Sequence, residues 1–340
     1  VVVLFASLGM ALGPTLGGLL TEYLSWNWIF YINVPVGIAA LILGIFVLPR
    51  DEKAKFTLKG FDGAGAVLIF VGLAALLYAF SEGYKLGWTS APVLICIVLA
   101  VLCIAAFIVC EKKVKSPILD LNLFKNPSFL LLNVVLCVMY FTLAGAQYLL
   151  PFYLQLIQSL STFESGLVLT VMSLGIMTAG VLSGQIYAKM VGKIRVLILS
   201  GVAILALGYF FLSKISPVSG LGIIVLGLAL IGFGVGLTTT TATTLLMGSV
   251  KPEKNGMVSS ITGLERFAPM TIGIAFFNLL LIAGVKAIAK HTDITTRPLQ
   301  DVAAGILTSG FDLCFFVSMS LAVVAFVICL FVKESRLKQA

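Results

Sequence analysis

Long runs of apolar residues broken by short polar clusters dominate the chain, and neither the two-residue alternation of a half-buried strand nor a one-sided amphipathic stripe recurs along it. A helix needs about 20 apolar residues to cross the hydrocarbon core. The hydropathy gaps mark ten such segments, near 1–22, 29–48, 63–81, 91–110, 128–152, 165–188, 195–213, 219–246, 256–283 and 310–332. The pattern predicts an all-α integral membrane protein with ten transmembrane helices. Two connections, 49–62 and 111–127, are longer and charged, and they set off the helices between them as a separate unit. Within the second, Ser116-Pro117 suits an N-cap and first helical position. The apolar residues that follow suit either a surface helix or a loop covering helix ends. The longest connection on the opposite side, 284–309, reads as a solvated face, and Asp312 just beyond it reads as an N-terminal helix carboxylate.

Composition agrees with this reading: 60% of the 340 residues are hydrophobic and 11% charged, with a mean hydropathy of +1.14. No sizeable aqueous domain fits beside ten spans, so a soluble enzyme is excluded. The net charge of +8 raises nucleic acid as a partner, and the placement of the basic residues argues against it. When alternate loops are assigned to opposite sides, sixteen of the 22 Lys and Arg fall on one side and five on the other, with Arg266 inside the ninth segment. Cytoplasmic loops keep such an excess, so the C terminus is expected in the cytoplasm.

Candidate chemistry is sparse. The six cysteines lie in apolar stretches without CxxC spacing, and the heptad of Cys96, Cys103 and Cys110 suits helix packing. His291 stands alone in a polar loop and cannot form a metal cluster by itself. No metal and no cofactor is implied. Gly232, Gly234 and Gly236 form a GxGxG string inside an apolar span, not the strand-to-helix turn that a dinucleotide site requires. The threonines after them suit bonding to the preceding turn, with pore lining as the second option. On the fifth segment Asn133, Tyr140 and Gln147 recur every seven residues, drifting only about 20° per repeat. This polar stripe is either a substrate-cavity wall or a set of buried bonds to neighbouring helices. Glu265 and Arg266 are the intramembrane charges of the ninth segment. They point in different directions, Arg266 as a structural anchor and Glu265 with its role open.

The first helix carries Gly9, Gly13 and Gly17 on one face, with Pro14 and Gly18 beside them, a packing pattern that lets another backbone approach. Together with Trp26-Asn27-Trp28-Ile29-Phe30-Tyr31-Ile32-Asn33-Val34-Pro35-Val36-Gly37, it resembles the fifth and sixth helices of the fourteen-helix drug/proton antiporters of the major facilitator superfamily. Further stretches agree in order: Phe61-Asp62-Gly63-Ala64-Gly65, Pro117-Ile118-Leu119-Asp120-Leu121, Leu150-Pro151-Phe152-Tyr153-Leu154-Gln155, and Asn255-Gly256-Met257 through Arg266 to Gly273. The resemblance implies that 1–48 ends an N-terminal bundle, 49–127 holds loops and a central helix pair, and 128–340 holds a complete C-terminal six-helix bundle. It implies that the glycine/proline motif lies between bundles, and that the chain serves proton-coupled export of a small amphipathic substrate.

The chain opens without Met at the edge of a span, so it reads as lacking the first four helices, its intramolecular partners, where much of the family's proton chemistry is expected. The alternative is a non-transporting membrane fragment with a structural or partner-binding role. Two departures stand out: Ala268-Pro269 where the family often carries a glycine pair, and a loop at 184–192 without the usual acidic residue.

Overall fold

Helix ends are written in short polar signals. Asp62 accepts a hydrogen bond from the Gly65 amide at 2.8 Å and caps the following helix. Asn126 does the same for Ser128 at 3.0 Å, with Pro127 in the first turn. Ser161 and Glu164 form a reciprocal capping box, the Ser161 amide donating to the Glu164 carboxylate at 2.8 Å and the Glu164 amide to the Ser161 hydroxyl at 3.2 Å.

The computed structural model describes residues 2–47, 62–114, 117–189, 194–250, 255–289 and 299–333. Eleven α-helices follow one another: α1 Val2–Tyr23, α2 Trp28–Tyr31, α3 Asn33–Val47, α4 Gly63–Leu86, α5 Ala91–Glu111, α6 Pro127–Leu156, α7 Thr162–Lys189, α8 Ile194–Leu212, α9 Leu221–Met247, α10 Asn255–Ala289 and α11 Leu299–Cys329. Among the described residues nine segments, α2 and α3 counting as one, are long and apolar enough to cross a membrane. The remaining helix, α1, has 22 residues, about 33 Å of rise. The ten segments read from hydropathy thus correspond to helices.

Helices α6 to α11 pack together. Close approaches fix their directions: α6 and α10 run parallel, with Gly145 facing Phe277 and Gly273 facing Phe141 and Ala144, and so do α7 and α9, with Gly232 facing Met172 and Gly236 facing Ile176 and Ala179. Helix α8 runs antiparallel to α9, Gly201 facing Gly234 and Gly208 facing Gly227 and Ile231. The GxGxG string is therefore a packing device with two faces, Gly232 and Gly236 toward α7 and Gly234 toward α8. The hydroxyls of Thr239, Thr241 and Thr244 donate to carbonyls four residues earlier in α9. Helices α4 and α5 form an antiparallel hairpin in which Gly72 lies against Cys103 and Ile104, and α4 packs on α10. Nearly all of α3 is exposed, Phe46 at 82%. Large apolar patches of this kind mark a surface made for lipid or for other apolar partners.

Three expectations need correction. No helix begins at Pro117: the chain bends there, and a short 3-10 turn, Leu121–Lys125, starts at Asp120, whose carboxylate accepts from the Asn122 amide at 3.0 Å. The carboxylate is a stronger cap than the upstream serine pattern suggested; Ser116 lies outside the described residues. The solvated 284–309 segment is largely helix, since α10 continues to Ala289 and α11 starts at Leu299. Asp312 is therefore the fourteenth residue of α11, not an N-terminal carboxylate. It lies beside Lys214 electrostatically, and one carboxylate oxygen is buried without a hydrogen-bond partner. His291 and most basic residues of the loops, among them Lys53, Lys115, Lys193, Lys251, Arg297 and Arg336, lie outside the described residues.

Candidate functional site

Two helix seams carry the residues singled out by the sequence. The first joins α1 to α7 in antiparallel fashion. Its close approach is made by Pro14, Thr15 and Gly18, not by the glycine stripe: a methyl group at Gly18 would come within 2.7 Å of the Thr162 carbonyl and 3.0 Å of the Phe163 Cα, whereas Gly9, Gly13 and Gly17 have nothing within 4 Å of that position. The seam is turned by about 100° from the predicted stripe, one residue's rotation on a helix. Opposite, Gly166 lies against the Pro14 carbonyl and Thr15. The Thr15 and Thr170 hydroxyls meet at 2.5 Å, and the Phe163 amide at the start of α7 donates to the Glu22 carboxylate at 2.7 Å. An acid at a helix N-terminus satisfies an otherwise unpaired amide and complements the helix dipole. Gly166, Thr170 and Glu22 escaped the sequence reading. Gly166 alone had a signal, as a small residue one turn before Thr170.

The second seam joins α6 to α10. Of the predicted polar stripe, Asn133 is 4% exposed and its amide nitrogen donates to the Phe129 carbonyl of its own helix at 2.7 Å, leaving its Oδ1 without a partner. Tyr140 and Gln147 are half-buried. Across the seam Glu265 is 6% exposed, and neither carboxylate oxygen has a hydrogen-bond partner. It lies close enough to Cys137 and Tyr140 to act on them electrostatically. Arg266, half-buried, stacks its guanidinium over the Phe267 ring at 5.5 Å. The structure thus brings both Glu265 and Arg266 within electrostatic reach of Tyr140 on α6 and leaves Gln147 several turns farther along.

One bond across this seam was absent from the sequence reading. The Tyr148 hydroxyl donates to Asn278 Oδ1 at 3.1 Å. Interhelical hydrogen bonds in membranes contribute about 0.6 kcal/mol on average, so Tyr148→Phe and Asn278→Leu are each expected to lower stability by about that amount, with the double variant losing clearly less than the sum of the two. Thermal melts of the four proteins in detergent check this, and strict additivity of the two single losses would show that the bond is not formed.

Among the described residues no group of three His, Cys, Asp or Glu side chains converges as a metal site would require. A polar hollow of about 350 Å³, bordered by Glu111, Lys112, Asp120, Asn122 and Lys125, lies at the end of the α4–α5 hairpin.

Among the described residues, nine segments long and apolar enough to cross a membrane, a six-helix cluster and an antiparallel seam from it to α1 define a multi-pass membrane protein. The family model of the Major Facilitator Superfamily matches residues 1–274, and the chain belongs to that superfamily. It is 34% identical to the multidrug resistance protein Stp of Mycobacterium tuberculosis over 284 residues, 83% of this chain and 52% of that one. It is 33% identical to the multidrug transporter protein MdtP of Bacillus subtilis over 278 residues, 81% of this chain and 50% of that one. With the lincomycin resistance protein LmrB of Listeria monocytogenes it shares 29% over 342 residues, 98% of this chain and 69% of that one. The chain spans about half the length of the first two of these relatives. A crystal structure of a bacterial homologue of the human lysosomal transporter Spinster, inward-facing and unoccupied, has the same fold at 13% identity, with a TM-score of 0.51 over 99% of this chain and 83% of that one.

Proposed function

We propose that the chain is part of a proton-coupled exporter of small amphipathic compounds in the plasma membrane, with its C terminus in the cytoplasm. The observation that carries this reading is the likeness, along 83% of the chain, to a protein named for multidrug resistance, joined to the α1–α7 seam that the glycine/proline motif builds. In this reading 1–48 closes the N-terminal bundle, 49–127 carries the central helix pair and 128–340 is the C-terminal bundle. Rocking of one bundle against the other opens a midplane site to alternate sides. The seam suits that motion: small residues let two backbones slide, and few side-chain bonds must break, the Thr15–Thr170 and Glu22–Phe163 contacts being the principal ones. The 16-to-5 asymmetry of Lys and Arg supports the orientation.

The test is uphill transport. Inverted membrane vesicles bearing the protein are expected to accumulate ethidium when a proton gradient is imposed and to release it on addition of a protonophore. Accumulation of neither ethidium nor any of a panel of neutral and cationic drugs would overturn the reading.

A further inference from the structure

Helix α5 has 21 residues, about 31 Å of rise, close to the hydrocarbon thickness of about 30 Å. Its last residue, Glu111, therefore stands at the level of the lipid headgroups. The side chain is 5% exposed. One carboxylate oxygen, Oε2, accepts from the Leu119 amide at 3.3 Å, and the other, Oε1, is buried without a hydrogen-bond partner. A second carboxylate, that of Asp62 at the start of α4, acts on Glu111 electrostatically. There too one oxygen caps a backbone amide while the other, Oδ2, is buried and has no partner. Negative charge is thus left uncompensated at this end of the hairpin, where burial makes it costly.

Glu111 borders the polar hollow of about 350 Å³, a size within the range of about 300–1,000 Å³ for small-ligand sites. Lys112 and Lys125 border it as exposed cations. Among the described residues the ion pair within 4 Å is Lys85–Glu82, so neither lysine is held by a carboxylate. Asp120 already accepts from both nitrogens of Asn122 at 3.0 Å. A metal ion would meet the carboxylate of Glu111 but be opposed by the lysines, and among the described residues no three metal-binding side chains converge. A simple anion would meet the lysines and be repelled by Glu111 and Asp62. A ligand with an ammonium and a phosphate a few bonds apart meets both demands.

We infer that the hollow holds a lipid headgroup with a primary ammonium and a phosphodiester, as in phosphatidylethanolamine. The ammonium donates to Glu111, and the phosphodiester lies against Lys112 and Lys125. Depth selects a lipid over a soluble compound, because the hollow begins where the apolar span ends and α5 exposes Val101, Leu102 and Val109 to acyl chains. A choline headgroup fits less well, since its quaternary nitrogen carries no N–H for the buried oxygen. Beyond the hollow, the Asp120 amide donates to Met257 Sδ of α10 at 3.1 Å and Leu123 is buried in the core. A bound headgroup therefore ties the α4–α5 hairpin to the six-helix cluster. This goes beyond the export reading and stands or falls on lipid binding alone.

The experiment uses the full chain in detergent, followed by native mass spectrometry and thermal melting. The added lipids are phosphatidylethanolamine, its mono-, di- and trimethylated forms, and phosphatidylglycerol, all with the same acyl chains. The wild type is expected to bind phosphatidylethanolamine about tenfold more tightly than the trimethylated form, the loss of one charge-assisted hydrogen bond, and to melt higher with it. Glu111→Gln, which still accepts from the Leu119 amide, is expected to lose that preference. The Lys112→Ala/Lys125→Ala variant, altered at two exposed positions, is expected to bind the lipid about tenfold more weakly while melting like the wild type without lipid. Equal binding of all the lipids by the wild type, or an unchanged preference in Glu111→Gln, would overturn the inference. An equal rise in melting temperature with soluble O-phosphoethanolamine would overturn the lipid as its source, and loss of the preference in EDTA would make a metal ion the ligand. The methylation series and the lysine variant decide the question even where Glu111→Gln fails to fold.

Discussion

Gly232→Val is expected to produce the largest loss of stability of any single change in the helix cluster. Gly232 lies where α9 crosses α7, and the first atom of any side chain would overlap the backbone carbonyl of Met172. Backbone cannot swing aside as the end of a flexible side chain can, so the helices themselves must separate. The next close approach, Gly236 to Ile176 and Ala179, is one turn along the same face and would be lost with it. Overpacking of this kind costs about 3 kcal/mol at the upper end of its range. A large drop in melting temperature in detergent, with reduced accumulation in the membrane, is the measurement. Gly222→Ala, also in α9 but with nothing within 4 Å of the added methyl, is expected to melt within about 0.5 kcal/mol of the wild type. Equal losses from the two substitutions would show that glycine matters here only for the helix backbone and not for the crossing.

The second large effect concerns movement more than folding. Gly18→Leu places a side chain against the Thr162 carbonyl and the Phe163 Cα and wedges α1 from α7. A strain of about 2 kcal/mol disfavours the closed seam by about 30-fold, and export of a drug such as ethidium is expected to fall by a comparable factor. Packing among α6 to α11 does not use Gly18, so their thermal unfolding is expected to change little. Gly17→Leu is the control, because that position meets nothing within 4 Å. If Gly17→Leu abolished export and Gly18→Leu did not, the seam would lie on the stripe that the spacing of Gly9, Gly13 and Gly17 suggested.

That contrast shows how legible the protein was. The spans could be read because leaving water is decided locally, by about 20 consecutive apolar residues. Helix caps are likewise local: Asp62, Asn126 and the Ser161/Glu164 pair each bond within three residues. Asp312 was misplaced for the opposite reason. The polar residues of 299–309 resemble a loop, yet they continue a helix that packs on α10, where Gly310 meets Leu281 and Val285. The stripe of Asn133 and Tyr140 was visible as a period, but the period could not say that Glu265, more than a hundred residues later, would stand across from it.

By itself, then, the sequence determined where the long apolar segments lie, where most of them start and stop, and which polar residues share a face. The tertiary structure decided which face of each helix meets another: Gly18 instead of Gly17, Gly232 toward α7 and Gly234 toward α8, Glu265 buried in the α6 seam with Arg266 also within electrostatic reach of Tyr140. The physical reason lies in the solvent. In water, the buried face of a helix announces itself as an apolar stripe against polar neighbours. In a bilayer the face toward lipid and the face toward protein are equally apolar, and association rests on close packing and a few hydrogen bonds. Those depend on partners distant in the chain, so only the assembled helices show them.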